Sequence, residues 1–545
     1  MRHVILIKHR YLLVLIVFCT LCISCKPSKV APTQVANTIT FTKNTEGSQL
    51  VDTTALNHFL LQADSKLAIE FTLDQPLVKD LQDLAPTETV DELLTKGNFQ
   101  FTFKVDGKTV YVEDLSKGAG SSDAKKNQLI YRVPLIHPEP LDFWGWFMWL
   151  KFMKLHGGRD ALYTGDHKLR VEVRGYVNTT EKKLSPVLAE GTIDVSVADL
   201  PYDQKLVPIQ RIEPTQDFKI AASSYNYKKI QELNKKIAQG RFENINGIVV
   251  LKNNELLIEE YFNGTKRSSL HDARSVGKSI ASTVMGIAID EKYIKSENSK
   301  LNEFYQLKNY QNYSQKKEEV TIKSLLTMSS TFVGDDDNMS SLGNEELMYP
   351  TKNWLKFALD LPMEEAKVIE KDYSYFTAGV IILGDLLEKS VPNGLEAYTD
   401  KKLFKPLQIN QYKWQYTPQG VANTAGGIQL SALDFAKFGQ LYKNKGRWNG
   451  AQIVSSDWVE KSLSKQVKQP HADWYGYLFW NKEYTVAGKK YEVAFSNGNG
   501  GNKIFIFKDL PFVIVLTASS YNLPYAHSDA DLMMVNYILP AILDY

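Results

Sequence analysis

The sequence predicts a two-domain protein of the α/β (α+β) class. Three observations predict it. The chain has 545 residues, which is too long for a single hydrophobic core. Short segments of alternating apolar and polar residues dominate the part before residue 200, as in an Ig-like β-sandwich. Beyond residue 245, strand-like segments lie on both sides of a long helical region, which predicts an antiparallel sheet completed by the C-terminus.

The first residues are typical of an export signal. Arg2, Lys8 and Arg10 precede an apolar run at 11–23. This run is shorter than the about 20 apolar residues of a membrane span. The sequence Cys-Ile-Ser-Cys at 22–25 resembles a bacterial lipobox, in which the last cysteine is acylated and becomes the mature N-terminus. The alternative is an ordinary cleaved signal with an incidental cysteine.

The cysteines support an exported protein. All 3 cysteines of the chain lie within 19–25, so the mature chain has no internal disulfide and no cysteine-based metal site. We expect a signal peptide over 1–24, lipidation of Cys25 and a polar tether over 25–47. The protein would then be a lipid-anchored membrane lipoprotein of the cell envelope, on the periplasmic or the outer face.

Composition excludes several classes of partner. The formal net charge is +2, and no basic block is present, so nucleic-acid binding is not expected. The sequence has no His-Glu-x-x-His and no Gly-x-x-x-x-Gly-Lys, and we expect neither a metal nor another cofactor. The sequence does not predict the oligomeric state.

The N-terminal β-sandwich domain is expected over 48–200. Apolar residues alternate over 99–105 up to Asp106-Gly107 and continue over 110–112, which predicts a β-hairpin. Alternation returns over 169–173 and 193–197.

An aromatic run at 143–155 (FWGWFMWLKFMKL) stands out within this domain. The run is interpreted as buried under the sandwich or at a domain interface. A membrane-facing amphipathic patch is the alternative.

A proline-containing linker is expected over 201–220, followed by the second domain over 221–545. Its predicted elements are a helix around 230–237, a hairpin of 248–251 with 256–258, a mainly helical region over 275–465, strands at 491–495, 504–507 and 512–517, and a helix over 530–543.

Ser275-Val-Gly-Lys278 carries the strongest chemical signal of this domain. Apolar residues recur over 276–288 at helical spacing, so Ser275 and Lys278 project from one face of a helix. A lysine that burial keeps neutral can take the proton of the serine hydroxyl and make it a nucleophile. The same spacing occurs by chance at Ser122, Ser314 and Ser462. The long apolar helix behind Ser275 distinguishes it.

Two further segments could meet this pair. Segment 372–377 (DYSYFT) contains tyrosines that could relay a proton to a leaving group. Segment 495–501 (FSNGNGG) is a glycine-rich bend between strands. A backbone N–H of an edge strand there could pair with that of Ser275 as an oxyanion hole.

These segments, in order, resemble the serine β-lactamase-like hydrolases: class C β-lactamases, DD-peptidases, and related esterases and 6-aminohexanoate-dimer hydrolases. The resemblance covers about residue 245 to the C-terminus. It also includes TIKSLLTMSS at 321–330, LFKPL at 403–407, AGG at 425–427, DFAKF at 434–438, WNG at 448–450 and WYGY at 474–477. It implies a β-lactamase/transpeptidase-like fold for the second domain.

The resemblance also implies catalytic roles. Ser275 would be the acyl-enzyme nucleophile and Lys278 its base. Tyr375 would be the tyrosine of the family's Tyr-x-Asn element, with Tyr373 as the alternate. Thr377 then stands where class C β-lactamases have asparagine, and is expected to bind substrate.

The family's Lys-Thr-Gly element corresponds to Ser496, Asn497 and Gly498, which are also expected to bind substrate. The backbone N–H groups of Ser275 and Asn499 are expected to form the oxyanion hole. Loss of the cationic group and of the amide of asparagine leaves a neutral pocket. This departure favours the esterase and amide-hydrolase branches.

The sequence therefore predicts an envelope serine hydrolase that cleaves a small ester or amide through an acyl-enzyme on Ser275. A β-lactamase or DD-peptidase-type cell-wall enzyme is the first alternative. A non-catalytic binding lipoprotein on the same fold is the second, although a binding module needs neither Ser275 nor Lys278.

Overall fold

The structure, a computed structural model, describes residues 37–43, 55–62, 65–136, 143–199, 201–470 and 473–543. The predicted signal peptide and Cys25 lie outside the described residues. The described chain forms two compact units. The first contains the described residues of 37–59, 65–146 and 168–194, and the second those of 60–62, 147–167 and 195–543.

Strands dominate the chain up to residue 199. They are β1 (Ile39–Thr42), β2 (His58–Leu61), β3 (Leu67–Thr72), β4 (Gly97–Val105), β5 (Lys108–Asp114), β6 (Ile130–Ile136), β7 (Gly165–Asn178), β8 (Lys182–Leu184) and β9 (Ala189–Val197). The helices of this part are α1 (Leu77–Leu84), α2 (Val90–Lys96), α3 (Ser122–Asn127), α4 (Phe143–Leu155) and α5 (Gly158–Ala161).

The first unit is a β-sandwich, as predicted. One sheet has the order β1-β3-β6, and the other has the order β2-β9-β7-β4-β5, with β8 paired to β7. The sheets face each other through aromatic side chains: the Phe71 ring of β3 lies 5.7 Å from Phe99 and 6.2 Å from Phe101 of β4. Strand β1 lies in the segment expected to be a tether and pairs with β3 instead.

The predicted hairpin of β4 and β5 is confirmed. Asp106 (φ 50°) and Gly107 (φ 80°) form the two-residue turn that its sequence predicts. Helices α1 and α2 were not predicted. A capping box in which Thr89 and Glu92 bond each other's backbone N–H begins α2.

The aromatic run forms α4. Met148 and Phe152 are 1% and 0% exposed, whereas Phe147 is 46% exposed. Part of this aromatic run is therefore buried, with Trp149 also in the core, whereas the Phe147 ring faces solvent. In the described part of the chain, no helix is long and apolar enough to cross a membrane.

The second unit combines helices and strands. Its helices are α6 (Tyr227–Ala238), α7 (Val276–Asp290), α8 (Ile322–Leu326), α9 (Glu345–Met348), α10 (Trp354–Asp360), α11 (Thr377–Ser390), α12 (Gly394–Thr399), α13 (Ala432–Lys443), α14 (Ser456–Leu463), α15 (Ala526–Met533) and α16 (Leu539–Ile542). Two π turns, Asp400–Phe404 and Met534–Ile538, continue α12 and α15.

Two strands lie at the start of this unit, and several lie in its C-terminal part. They are β10 (Ile245–Lys252), β11 (Glu255–Tyr261), β12 (His271–Asp272), β13 (Lys413–Trp414), β14 (Ile428–Leu430), β15 (Arg447–Trp448), β16 (Ala451–Gln452), β17 (Val467–Lys468), β18 (Trp474–Tyr475), β19 (Trp480–Val486), β20 (Lys489–Gly498), β21 (Asn502–Phe507) and β22 (Phe512–Ala518).

A large antiparallel sheet organises this unit. Within the described residues it has eight strands in the order β11-β10-β22-β21-β20-β19-β18-β17. Strand β10 pairs with β22, so the last strand completes the sheet beside the first hairpin, as predicted. The sheet and the helical middle confirm the predicted fold class.

Helices cover both faces of this sheet. Side chains of β21 alternate between two cores. Ile504 and Ile506 pack with α7, α11 and α13, whereas Phe505 and Phe507 pack with α6 and the C-terminal helices. The first of these cores brings the start of α7 against β20.

One expectation about this sheet is wrong. The glycine-rich bend was expected to follow an edge strand. Strand β20 instead pairs with both β19 and β21, so it is interior.

Candidate active site

Ser275 lies immediately before α7, at the junction of the sheet and the helical region. The residue before it, Arg274, has φ 48°, which is uncommon for a residue with a side chain. Strain of this kind is concentrated at functional sites. The Lys278 N–H donates to the Ser275 carbonyl, which fixes the first turn of the helix.

The Lys278 side chain lies against the serine hydroxyl. Its Nζ lies 2.7 Å from Ser275 Oγ and 2.7 Å from the carbonyl oxygen of Ala425, and the side chain is 1% exposed. Burial lowers the pKa of Lys278, and the charges of Glu345 and Asp336 oppose this change. A neutral amine in this position can donate to Ala425 while its lone pair accepts the serine proton.

Backbone contacts hold this pair together. Gly426 has φ 140°, and a Cβ on it would lie 2.4 Å from the Arg274 oxygen and 3.0 Å from the Ser275 nitrogen. A Cβ on Gly277 would lie 3.0 Å from Gly426 Cα. Glycine is therefore required here because two backbones approach closely. The segment that supplies the acceptor for Lys278 also packs against the nucleophile.

The structure distinguishes the two candidate tyrosines. The Tyr375 ring lies 5.4 Å from Lys278 Nζ, and the Ser275 side chain opposes the effect of burial on the pKa of Tyr375. Burial raises the pKa of Tyr375, so its hydroxyl is neutral at ordinary pH. The buried Tyr373 hydroxyl has no hydrogen-bond partner, and its ring packs 5.4 Å from that of Tyr475. Tyr375 rather than Tyr373 is therefore next to the Ser–Lys pair.

Thr377 begins α11 and lies near the same site. Its N–H donates to Asp336 Oδ2 at 2.7 Å, whereas its buried Oγ1 makes no hydrogen bond. Burial raises the pKa of Asp336 to about 6, and the charge of Glu345 adds to this effect. Neither acid was predicted. The only sequence signal is the acidic run at 335–337, which has no spacing relation to the motifs.

Ser496 and Asn497 lie on opposite faces of the sheet. Ser496 is fully buried, and its Oγ donates to Ser279 Oγ at 2.8 Å, one turn beyond the nucleophile. Asn497 is the cross-strand partner of Lys503, and its buried Oδ1 has no hydrogen-bond partner. Because strand side chains alternate, Asn497 points away from α7. The structure does not bring its side chain to Ser275.

Gly498 and Asn499 come next on this segment. A Cβ on Gly498 would lie 2.5 Å from the carbonyl oxygen of Ala273, so the strand end packs directly against the chain before Ser275. The side chain of Asn499 bonds with Asn522 and is held away from the pair. Only the backbone of Asn499 is therefore available for the predicted oxyanion role.

The described residues contain no group of three or more side chains suited to holding a metal ion. The arrangement that they do contain is a serine hydroxyl bonded to a buried amine, with a phenol ring beside that amine. Such a group can activate the hydroxyl and return a proton to a leaving atom.

Comparison with known proteins places the chain in a family. The sequence model of the Beta-lactamase family matches residues 233–536, more than half of the chain. The chain therefore belongs to the Beta-lactamase family, a family of serine hydrolases, and the predicted resemblance is confirmed. A comparison with curated protein sequences gave no match.

Several solved structures are similar to this chain. One is an octameric penicillin-binding protein homologue from Pyrococcus abyssi (19% identity, 57% of this chain and 76% of that chain, TM-score 0.45). Another is a putative 6-aminohexanoate-dimer hydrolase from Bacillus anthracis (17% identity, 63% of this chain and 90% of that chain, TM-score 0.45). A third is EstCE1, described as a hydrolase with promiscuous acyltransferase activity (12% identity, 56% of this chain and 97% of that chain, TM-score 0.45).

Proposed function

We propose that this protein is a serine hydrolase that cleaves a small ester or amide through an acyl-enzyme on Ser275. The observation that carries the proposal is the 2.7 Å contact between Ser275 Oγ and a buried Lys278 Nζ. Burial without a carboxylate in contact favours the neutral amine, which is the form that can act as a base.

The reaction has two stages. Ser275 Oγ attacks the carbonyl carbon while its proton passes to Lys278, and the backbone N–H groups of Ser275 and Asn499 stabilise the oxyanion. Tyr375 donates a proton to the leaving oxygen or nitrogen and is reprotonated from Lys278, and the acyl-enzyme remains. Water then attacks the acyl carbon, gives a proton to the same pair, and Ser275 Oγ leaves with that proton.

The preference for esters and small amides rests on Ser496. It stands where the family's β-lactamases have the lysine that meets a carboxylate, and its hydroxyl is already bonded to Ser279. Loss of a charge-assisted contact weakens transition-state binding roughly ten- to a hundred-fold. A β-lactam carries such a carboxylate, whereas a neutral ester does not.

Purified protein without residues 1–24 tests the proposal. The measurements are labelling by a fluorophosphonate probe and kcat/KM for a short-chain p-nitrophenyl ester and for nitrocefin. Ser275→Ala should abolish both labelling and ester cleavage. Ser314→Ala is the matched control, because Ser314 has the same spacing to the buried Lys317 but makes no hydrogen bond through its Oγ.

The control should behave as wild type. Labelling that persists in Ser275→Ala would contradict the proposed nucleophile. Efficient nitrocefin turnover without ester cleavage would instead support a β-lactamase or DD-peptidase-type enzyme. No labelling and no hydrolysis in the wild type would support the non-catalytic alternative.

We also propose that the protein is lipid-anchored at Cys25 in the cell envelope. The support is the lipobox-like sequence at 22–25 and the positive residues before the apolar run. Metabolic labelling with a palmitate analogue tests it. Label should appear on the wild type and disappear in Cys25→Ala, and equal labelling of the two would contradict the proposal.

A further inference from the structure

Helix α11 begins without a side-chain cap of its own. Phe376 occupies the N-cap position, and a phenyl ring cannot accept the N–H groups of the first turn. Asp336, 41 residues earlier in the chain, supplies the missing acceptor: its Oδ2 takes the Thr377 N–H at 2.7 Å. A carboxylate is also favoured at this end of a helix by the helix dipole.

The same residue makes two further bonds to nearby backbone. Its Oδ1 accepts the N–H of Glu345 at 2.8 Å. Its own N–H donates to the Tyr375 carbonyl at 2.9 Å. Asp336 thus holds the peptide groups on both sides of the Tyr375–Thr377 segment. Each oxygen of its carboxylate accepts one N–H group. This arrangement needs a side chain with two acceptor oxygens and no donor, as an ionised carboxylate has.

We propose that Asp336 is a positioning residue, which as a carboxylate holds Tyr375 against Ser275 and Lys278. The proposal rests on the proposed function, because it assigns Asp336 a role in activating Ser275. A misplacement of about 1 Å in such a site can lower the rate about 100-fold. The backbone ties of Asp336 are what fix the Tyr375 ring 5.4 Å from Lys278 Nζ.

The charge of Asp336 has a separate consequence. It and Glu345 oppose the effect of burial on the pKa of Lys278. Burial raises the pKa of Asp336 to about 6, so the carboxylate is ionised at neutral pH. The titratable groups that act on it are Glu345 and Tyr349 at α9, Lys278 on α7 and Tyr375 before α11. Asp335 and Asp337 lie beside it in sequence. Removing its charge should further lower the pKa of Lys278.

The test measures fluorophosphonate labelling of Ser275 as a function of pH, because labelling does not depend on the identity of the substrate. The variants are Asp336→Asn and Asp336→Ala, and the matched control is Ser374→Ala. Ser374 Oγ donates to the Gly334 carbonyl at 2.7 Å, so it joins the same two segments without a charge. Asparagine keeps one acceptor oxygen, and alanine keeps none.

We expect the maximal labelling rate to fall about 10-fold in Asp336→Asn and about 100-fold in Asp336→Ala. The acidic limb of the profile, where Lys278 loses its proton, should shift measurably to lower pH in both, because the opposing charge of Asp336 is removed. Ser374→Ala should shift this limb by no measurable amount. Thermal unfolding of each variant shows whether it is folded. If Asp336→Ala does not fold, the labelling profile of Asp336→Asn alone tests the inference.

Three results would overturn the inference. The first is a maximal labelling rate of Asp336→Asn within twofold of wild type, together with an acidic limb at the wild-type pH. The second is a lower rate without a shift of the limb, which a merely structural tie would also give. The third is an equal shift in Ser374→Ala. Labelling that persists in Ser275→Ala would contradict the proposed function instead, so the two failures are distinguishable.

Discussion

Gly426→Ala is the substitution for which the structure makes the sharpest prediction. Gly426 has no side chain, yet its backbone packs against the nucleophile. A methyl group there would lie 2.4 Å from the Arg274 oxygen and 3.0 Å from the Ser275 nitrogen. Both contacts are with backbone, which cannot rotate away as a side chain can. Either Ser275 moves, or Ala425 and the acceptor of Lys278 move.

The magnitude follows from two effects. A residue with a Cβ at positive φ costs about 1–2 kcal/mol, and Gly426 has φ 140°. Overpacking a buried contact costs about 1–3 kcal/mol more. The expected loss in the free energy of unfolding is therefore about 2–5 kcal/mol. The displacement of Ser275 relative to Lys278 should lower the rate of fluorophosphonate labelling about 100-fold in the fraction that folds.

Gly420→Ala is the control. Gly420 also has positive φ, 77°, but a Cβ there would meet nothing within 4 Å. It should lose about 1–2 kcal/mol of stability and keep wild-type labelling. Chemical denaturation gives the stabilities, and the labelling rate is measured on the folded protein. Labelling of Gly426→Ala within threefold of wild type would refute the argument that this contact positions Ser275.

Three other outcomes follow from the same site. Lys278→Arg should abolish labelling as fully as Lys278→Ala does, because a guanidinium stays protonated and cannot act as a base; near-normal labelling of the arginine variant would exclude this role. Tyr375→Phe should lower kcat for ester hydrolysis about 10²–10⁴-fold, and Tyr373→Phe should have a small effect, with the reverse order pointing to Tyr373. Labelling of the wild type should rise with pH as Lys278, whose pKa burial lowers, loses its proton; a rate that falls over this range would contradict a neutral-amine base.

The parts of the fold that depend on local pattern could be predicted from the sequence. The turn at Asp106-Gly107 and the long apolar helix after Ser275 are examples, since each depends on adjacent residues. The interior position of β20 could not be predicted in this way. It depends on the order of strands in the sheet, which is set by contacts between distant segments. Helices α1 and α2 were missed although Thr89 and Glu92 carry a capping signal.

In the candidate site, too, local sequence does not determine which side chains meet. The spacing Ser-x-x-Lys is identical at Ser275 and Ser314, and both lysines are buried. The Lys317 Nζ nevertheless donates to the Gln311 and Leu359 carbonyls and makes no bond with Ser314 Oγ. What separates the two pairs is the direction of the amine, and segments far away in sequence set that direction. For the same reason Asp336, which has no motif, was not predicted.

A comparison of two buried lysines shows why the contacts of Lys278 favour a base. Lys437 is 3% exposed, and its Nζ lies 3.0 Å from carboxylate oxygens of both Asp217 and Asp434. Lys278 is 1% exposed, but its close contacts are a hydroxyl and a carbonyl, which carry no net charge. The first environment stabilises an ammonium ion, whereas the second satisfies the hydrogen bonds of a neutral amine equally well. The carboxylates of Asp336 and Glu345 act on Lys278 without a direct bond, so they limit how far burial lowers its pKa. A base that must take a proton from Ser275 and later return it needs this intermediate environment. A lysine held permanently as ammonium could not accept the proton. An amine with too low a pKa would not hold the proton.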